Sequence, residues 1–155
     1  MKKLLGALGA ALALFLVAGL LAASPSDATT YSREKRYQRA LAIMAMPLEQ
    51  FRHLRAHNVA RPTGIDATLD WSADHCSLDS AGAARYNAYF QTACDRHDFG
   101  YRNFGHGFYS KKNLALDPSN DRKAIVDNRL YDDSKWSCDD LDAASDCYAA
   151  AVAYF

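Results

Sequence analysis

Cys94-Asp95-Arg96-His97-Asp98-Phe99-Gly100-Tyr101-Arg102-Asn103 puts a titratable base, a carboxylate and a cysteine within a few residues of backbone. On a helix, Cys94 and Asp98 would lie one turn apart on one face. His97 would sit on the flank between them and stack over Tyr101 from i to i+4. A single histidine on a helix is more often structural than chemical. Here the histidine arrives with Asp98 beside it and Cys94 to fasten the helix to another part of the chain. That combination organises the reading of everything else.

Outward from this block, a helix is expected to run from Cys94, or from as early as Ala83, to about Phe104, with Gly105-His106-Gly107 ending it. Lys111 to Pro118 reads as connector. Ser119-Asn120-Asp121 supplies capping residues before a second long helix, roughly Arg122 to Lys135, whose apolar face is Val126, Leu130 and Ile125. A terminal helix would carry Cys147, Ala150, Ala151 and Tyr154 as its inner stripe. Towards the amino terminus, Arg33 through Met46 has Tyr37, Leu41 and Met44 at helical spacing. Pro47 restarts the helix, and Leu48, Phe51 and Leu54 continue the stripe to about Asn58. Asp66 to Cys76 has no sustained period and reads as loop. No alternating strand pattern appears, so the expected fold class is all-α.

Composition narrows the function classes. In 155 residues, 18 Lys and Arg balance 18 Asp and Glu, so no net field favours nucleic acid or strongly acidic membranes. Met1-Lys2-Lys3 and the apolar run Leu4 to Ala23 read as a secretory signal, with Ser26-Asp27-Ala28 or Ala22-Ala23 at its exit. An uncleaved anchor is the competing reading, and the many small residues favour cleavage. The expected organisation is therefore signal 1–28, helical cover 29–60 and catalytic region 61–155, in a chain exported from the cell. Four cysteines, Cys76, Cys94, Cys138 and Cys147, allow three pairings of two bridges. Their spacing suggests Cys76 with Cys94 and Cys138 with Cys147, each closing a short loop worth about 3 kcal/mol. A zinc site is disfavoured because no Cys-x-x-Cys occurs.

A Cys76–Cys94 bridge would hold the loop carrying Asp74 beside Asp98. Two carboxylates and loop carbonyls then converge, a donor set that suits calcium and not zinc. His97 would face the substrate as a general base for water. Asp127 on the second long helix is the candidate to hold its other nitrogen and stabilise the imidazolium. Asp132 and Asp133 read as ordinary surface charge, Tyr101 as either a supporting donor or core, and His53 and His57 as surface histidines.

These residues resemble the small bacterial and fungal secreted phospholipases A2. The landmarks are Asp70-Trp71-Ser72-x-Asp74-x-Cys76, the block Arg96 to Asn103, Asp127 with Tyr131, and Cys138 with Cys147, all from Asp70 onwards. The resemblance implies a disulfide-stabilised helical domain with two long packed helices and a calcium-binding loop, paired through the same cysteines. It implies His97 as base, Asp127 as its partner, and Ca2+ held by Asp74, the carbonyl of His75 and Asp98. The implied reaction is hydrolysis of the sn-2 acyl ester of glycerophospholipids to lysophospholipid and fatty acid, with phospholipid aggregates or a membrane surface as substrate; a monomer is the default expectation for a small exported hydrolase. The chain departs from the pattern in several places. The glycine-rich calcium loop of animal enzymes is absent, His75 stands where an apolar residue is expected, and the segment between Cys76 and Cys94 is rich in Ala and Tyr. Residues 29–60 fit only as helical cover. The alternative is a calcium-dependent lipid-surface binding module on this scaffold without turnover. In either case Phe104, Phe108 and Tyr109 are candidates for lipid contact or for core.

Overall fold

A computed structural model describes residues 31–76, 84–105, 111–139, 141–142 and 144–154. Among these, the regular structure is entirely helical: α1 (Arg33–Ala45), α2 (Leu48–Ala60), α3 (Asn87–Phe104), α4 (Asn120–Trp136) and α5 (Ala144–Tyr154), with short 3-10 turns at Gly64–Thr68 and Ala84–Tyr86. The signal reading at 1–28, Phe108 and Tyr109 lie outside the described residues. No helix among the described residues is long and apolar enough to cross a membrane.

Local chemistry sets the element ends. The Ser32 hydroxyl accepts from the Lys35 amide at 3.2 Å, and the Ser119 hydroxyl accepts from Arg122 at 3.2 Å, each satisfying an amide of the first turn. Pro47 separates α1 from α2 at extended backbone. Gly105 closes α3 at φ +109°, and its amide donates to the Tyr101 carbonyl. A Cβ there would also sit 3.0 Å from Ala115 Cα, so both conformation and space call for glycine.

Helices α3 and α4 run antiparallel, because Arg96 meets Asp133, Gly100 meets Val126 and Phe104 meets Arg122. One apolar cluster joins Ile43 and Met44 of α1, Phe51 of α2, Leu69 and Trp71 of the following loop, Phe99 and Phe104 of α3, and Val126 of α4. The first two helices are therefore built into the core that carries the central block. A second cluster surrounds the two disulfides, Cys76–Cys94 and Cys138–Cys147, and includes Phe90, Leu130 and Ala151. Both pairings match the spacing argument.

Four expectations are changed or narrowed. Ile125 is 52% exposed and lies off the buried face of α4, which is made by Val126, Leu130, Asp133 and Ser134. Asp133 is no surface charge: it is buried against Arg96, whose guanidinium donates to both of its oxygens and to the Met46 carbonyl. Phe104 is fully buried under Tyr37 and Arg122, so it contacts core and not lipid. Helix α4 also begins at Asn120, earlier than Arg122. The side chain of Tyr154 lies outside the described residues.

Candidate active site

Two devices built from the chain fix the loop that approaches α3. The first is the Cys76–Cys94 bridge. The second is Asn103, fully buried, which accepts the Asp70 amide at 2.9 Å and donates to the Asp70 and Phe99 carbonyls at 2.8 Å each. Its carboxamide thus pairs with one residue of the loop as a strand would. The Asp70 carboxylate in turn accepts from the Ser72 amide and hydroxyl and from the Lys111 amide. Trp71 packs on Phe99 with ring centroids 4.7 Å apart, and its indole N–H donates to the Asp66 carbonyl.

With the loop held, Asp98 receives it. One Asp98 oxygen accepts the backbone amides of Asp74 and His75 at 3.0 and 3.1 Å. The Asp74 carboxylate accepts from the buried Arg102 guanidinium at 2.7 Å and is otherwise largely exposed. Burial, then the charge of Asp74, pushes the Asp98 carboxyl up to about 6. Partial burial acts the same way on Asp74, but the hydrogen bond shared with Asp98, the loop amide and Arg102 outweigh it and hold Asp74 below the usual carboxylate range. Two hard oxygen donors side by side, one of them pushed up by burial and by its neighbour's charge, are the chemistry a divalent cation relieves. The donor set therefore fits calcium. Among the described residues, no group of three acidic, histidine or cysteine side chains converges on one point, so backbone oxygens would have to complete such a site. His75 contributes no ring to it. Its backbone is left-handed at φ +65°, and its imidazole Nδ1 lies 2.5 Å from Asp95, which pairs with Arg55 of α2 at 2.9 Å.

His97 and Asp127 meet across the α3–α4 interface, with Nε2 3.1 Å from an Asp127 oxygen. The Tyr101 hydroxyl donates to the same oxygen at 2.7 Å, and Lys123 donates to the other at 2.6 Å. Tyr101 is thus a supporting donor, and its ring lies 4.3 Å from that of His97. Burial pushes the Asp127 carboxyl up, but the bonds from Lys123, Tyr101 and His97 win and hold it below the usual range. An ionised Asp127 accepts from Nε2–H, which leaves the lone pair of the neutral ring on Nδ1. Burial lowers the pKa of His97 more than Asp127 raises it, and Lys123 adds to the lowering. The ring is therefore neutral at and somewhat below neutral pH, as a proton acceptor must be.

In the sequence Asp70, Arg96, Arg102 and Asn103 stand only as landmarks of the resemblance, with no role assigned, and Lys123 is passed over. Lys123 stands four residues before Asp127 on the same face of α4, a spacing that could have found it.

No solved structure matches the chain. It is 31% identical over 88 residues to a protein of Beauveria bassiana (strain ARSEF 2860) named secretory phospholipase A2. That match covers 57% of this chain and 41% of the fungal protein, so the chain corresponds to less than half of that relative's length. Residues 40–155, which include every site residue described above, match the model of the prokaryotic phospholipase A2 family, and the chain belongs to that family.

Proposed function

We propose that the protein is a secreted, calcium-dependent phospholipase A2 that hydrolyses the sn-2 acyl ester of glycerophospholipids. Residues 1–28 act as its signal, 29–60 as helical cover and 61–155 as the catalytic region. The observation that carries this reading is the contact of His97 Nε2 with Asp127, with Tyr101 and Lys123 fixing the carboxylate.

In this reading His97 Nδ1 accepts a proton from the water whose oxygen attacks the ester carbonyl. Asp127 keeps the ring in that tautomer and stabilises the imidazolium, without taking the proton itself. As the carbon–oxygen bond to glycerol breaks, the imidazolium returns the proton to the leaving oxygen. The products are lysophospholipid and fatty acid. Asp74, the His75 carbonyl and Asp98 would hold the calcium ion, which supplies charge for the phosphate and for the oxygen that becomes negative in the transition state. The chain carries no covalent nucleophile in the pair, so water is the attacking group. The substrate is phospholipid in aggregates or membranes, and the working unit is a monomer.

Fatty-acid release from phosphatidylcholine micelles tests the proposal. Release is expected with calcium, to be abolished by chelator, and to fall by about 10²–10⁴-fold in His97→Ala. Release that survives His97→Ala would move the catalytic centre elsewhere. Calcium binding without release from any phospholipid would favour the lipid-surface module.

A further inference from the structure

His75 is the residue whose conformation the fold has to enforce. It lies in the left-handed region at φ +65°, where a side chain with a Cβ is strained and glycine is not. It also lies between Asp74 and Cys76, so its backbone decides how the loop passes Asp98. The disulfide fixes the residue after it, and the bonds to Asp98 hold amides on its amino-terminal side. Neither sets its side chain. That is held by Asp95, which is 6% exposed and one position beyond the bridged Cys94 on α3. The Asp95 carboxylate is shared: one oxygen faces His75 Nδ1 at 2.5 Å, and the other is 2.9 Å from Arg55 on α2. Arg55 is itself largely buried.

We infer that Arg55 and Asp95 are positioning residues which, through the His75 ring, lock the loop backbone at 74–76 in its left-handed turn. Helix α2 thereby acts on the site, beyond covering the core. The consequence for cation binding rests on the calcium reading above, because that reading uses the His75 carbonyl as a ligand. The side chain at this position can be both tolerated in the left-handed region and tied down, since histidine, like Asn and Asp, enters that region more readily than most residues. An apolar residue here would have no such handle.

Amide hydrogen exchange on the calcium-free protein, joined to calcium titration by calorimetry, tests the inference. Asp95→Asn and Arg55→Gln are made singly, each also in a His75→Gly background, with circular dichroism and urea unfolding as controls for the fold. In the histidine background, exchange at the Asp74 and His75 amides is expected to speed up about tenfold in Asp95→Asn, and by less in Arg55→Gln, because the ring bond remains. Amides of α5 should not respond. Calcium affinity is expected to fall by a similar factor. With His75→Gly, both substitutions should lose most of their effect, since glycine adopts the turn without being held. Unchanged loop exchange in Asp95→Asn would overturn the tether. So would an effect of equal size in the His75→Gly background, which would make Asp95 a general packing residue. Altered exchange in a protein that binds no calcium would uphold the tether and defeat the calcium reading instead.

Discussion

The buried arginine of the central block can be tested by asking which half of its ion pair the fold can spare. Arg96 is fully buried and donates to both oxygens of Asp133 and to the Met46 carbonyl at the end of α1. Arg129, one turn before Asp133 on α4, stands behind it on both counts: its Nε is 3.2 Å from Asp133, and its Nη2 donates to the same Met46 carbonyl at 3.1 Å. The two deletions are therefore unequal. Asp133→Leu leaves a desolvated guanidinium with only a carbonyl to face, at an expected cost of about 3–5 kcal/mol. Arg96→Met leaves Asp133 and the Met46 carbonyl each with Arg129, so only charge-assisted bonds with a remaining substitute are lost, about 1.5–3 kcal/mol. Combining the two places methionine against leucine and removes the stranded charge, so the double variant should be more stable than Asp133→Leu alone. Against a total of about 5–15 kcal/mol these are large effects. Urea unfolding should show Asp133→Leu shifting the midpoint down by roughly 2 M at an unchanged slope, with Arg96→Met shifting it less. Equal losses, or a double variant less stable than Asp133→Leu, would refute the asymmetry and with it the substituting role of Arg129.

Two further outcomes follow from the same interface. Gly100→Ala would place a Cβ 2.7 and 2.9 Å from the two Val126 methyls and 3.3 Å from Met44 Cε, so the usual gain from alanine in a helix is reversed. A net loss of about 1–3 kcal/mol in thermal unfolding is expected, largely recovered by Val126→Ala, and a stabilised Gly100→Ala would contradict the close approach of α3 and α4. Lys123→Met should shift the acid limb of the kcat/KM profile to higher pH. The Lys123 charge opposes protonation of His97, and without it the ring protonates sooner as pH falls and loses its function as base earlier. Stability should drop by only about 0.3–0.5 kcal/mol, as for a half-exposed pair one helical turn apart, and a limb moving to lower pH would contradict the electrostatic role given to Lys123.

How much of this was legible in the sequence depends on which residues broke the rule that polar side chains face water. Helices α1, α2, α4 and α5 follow an apolar stripe or a capping residue, and the cysteine pairs follow their spacing. His97 and Asp127 could be singled out because chemistry asks for a base and a holder, and the structure brings the two within 3.1 Å. Arg96, Asn103 and Asp133 were not, because periodicity assigns such residues to the surface, and each is buried only by virtue of a partner far along the chain. Ile125 erred in the other direction, an apolar residue on the exposed side of α4. The block on α3 explains both kinds of failure. Around that helix Arg96 faces Asp133, His97 and Tyr101 face Asp127, and Asp98 receives the loop amides. Phe99 packs on Trp71, Gly100 admits Val126, Arg102 holds Asp74 and Asn103 holds Asp70. Few of these side chains are left facing solvent, so a polar residue in this stretch does not mark a solvent face. Each residue type is instead dictated by a different neighbour, which is why the block is distinctive as a string while its separate contacts could not be read from it.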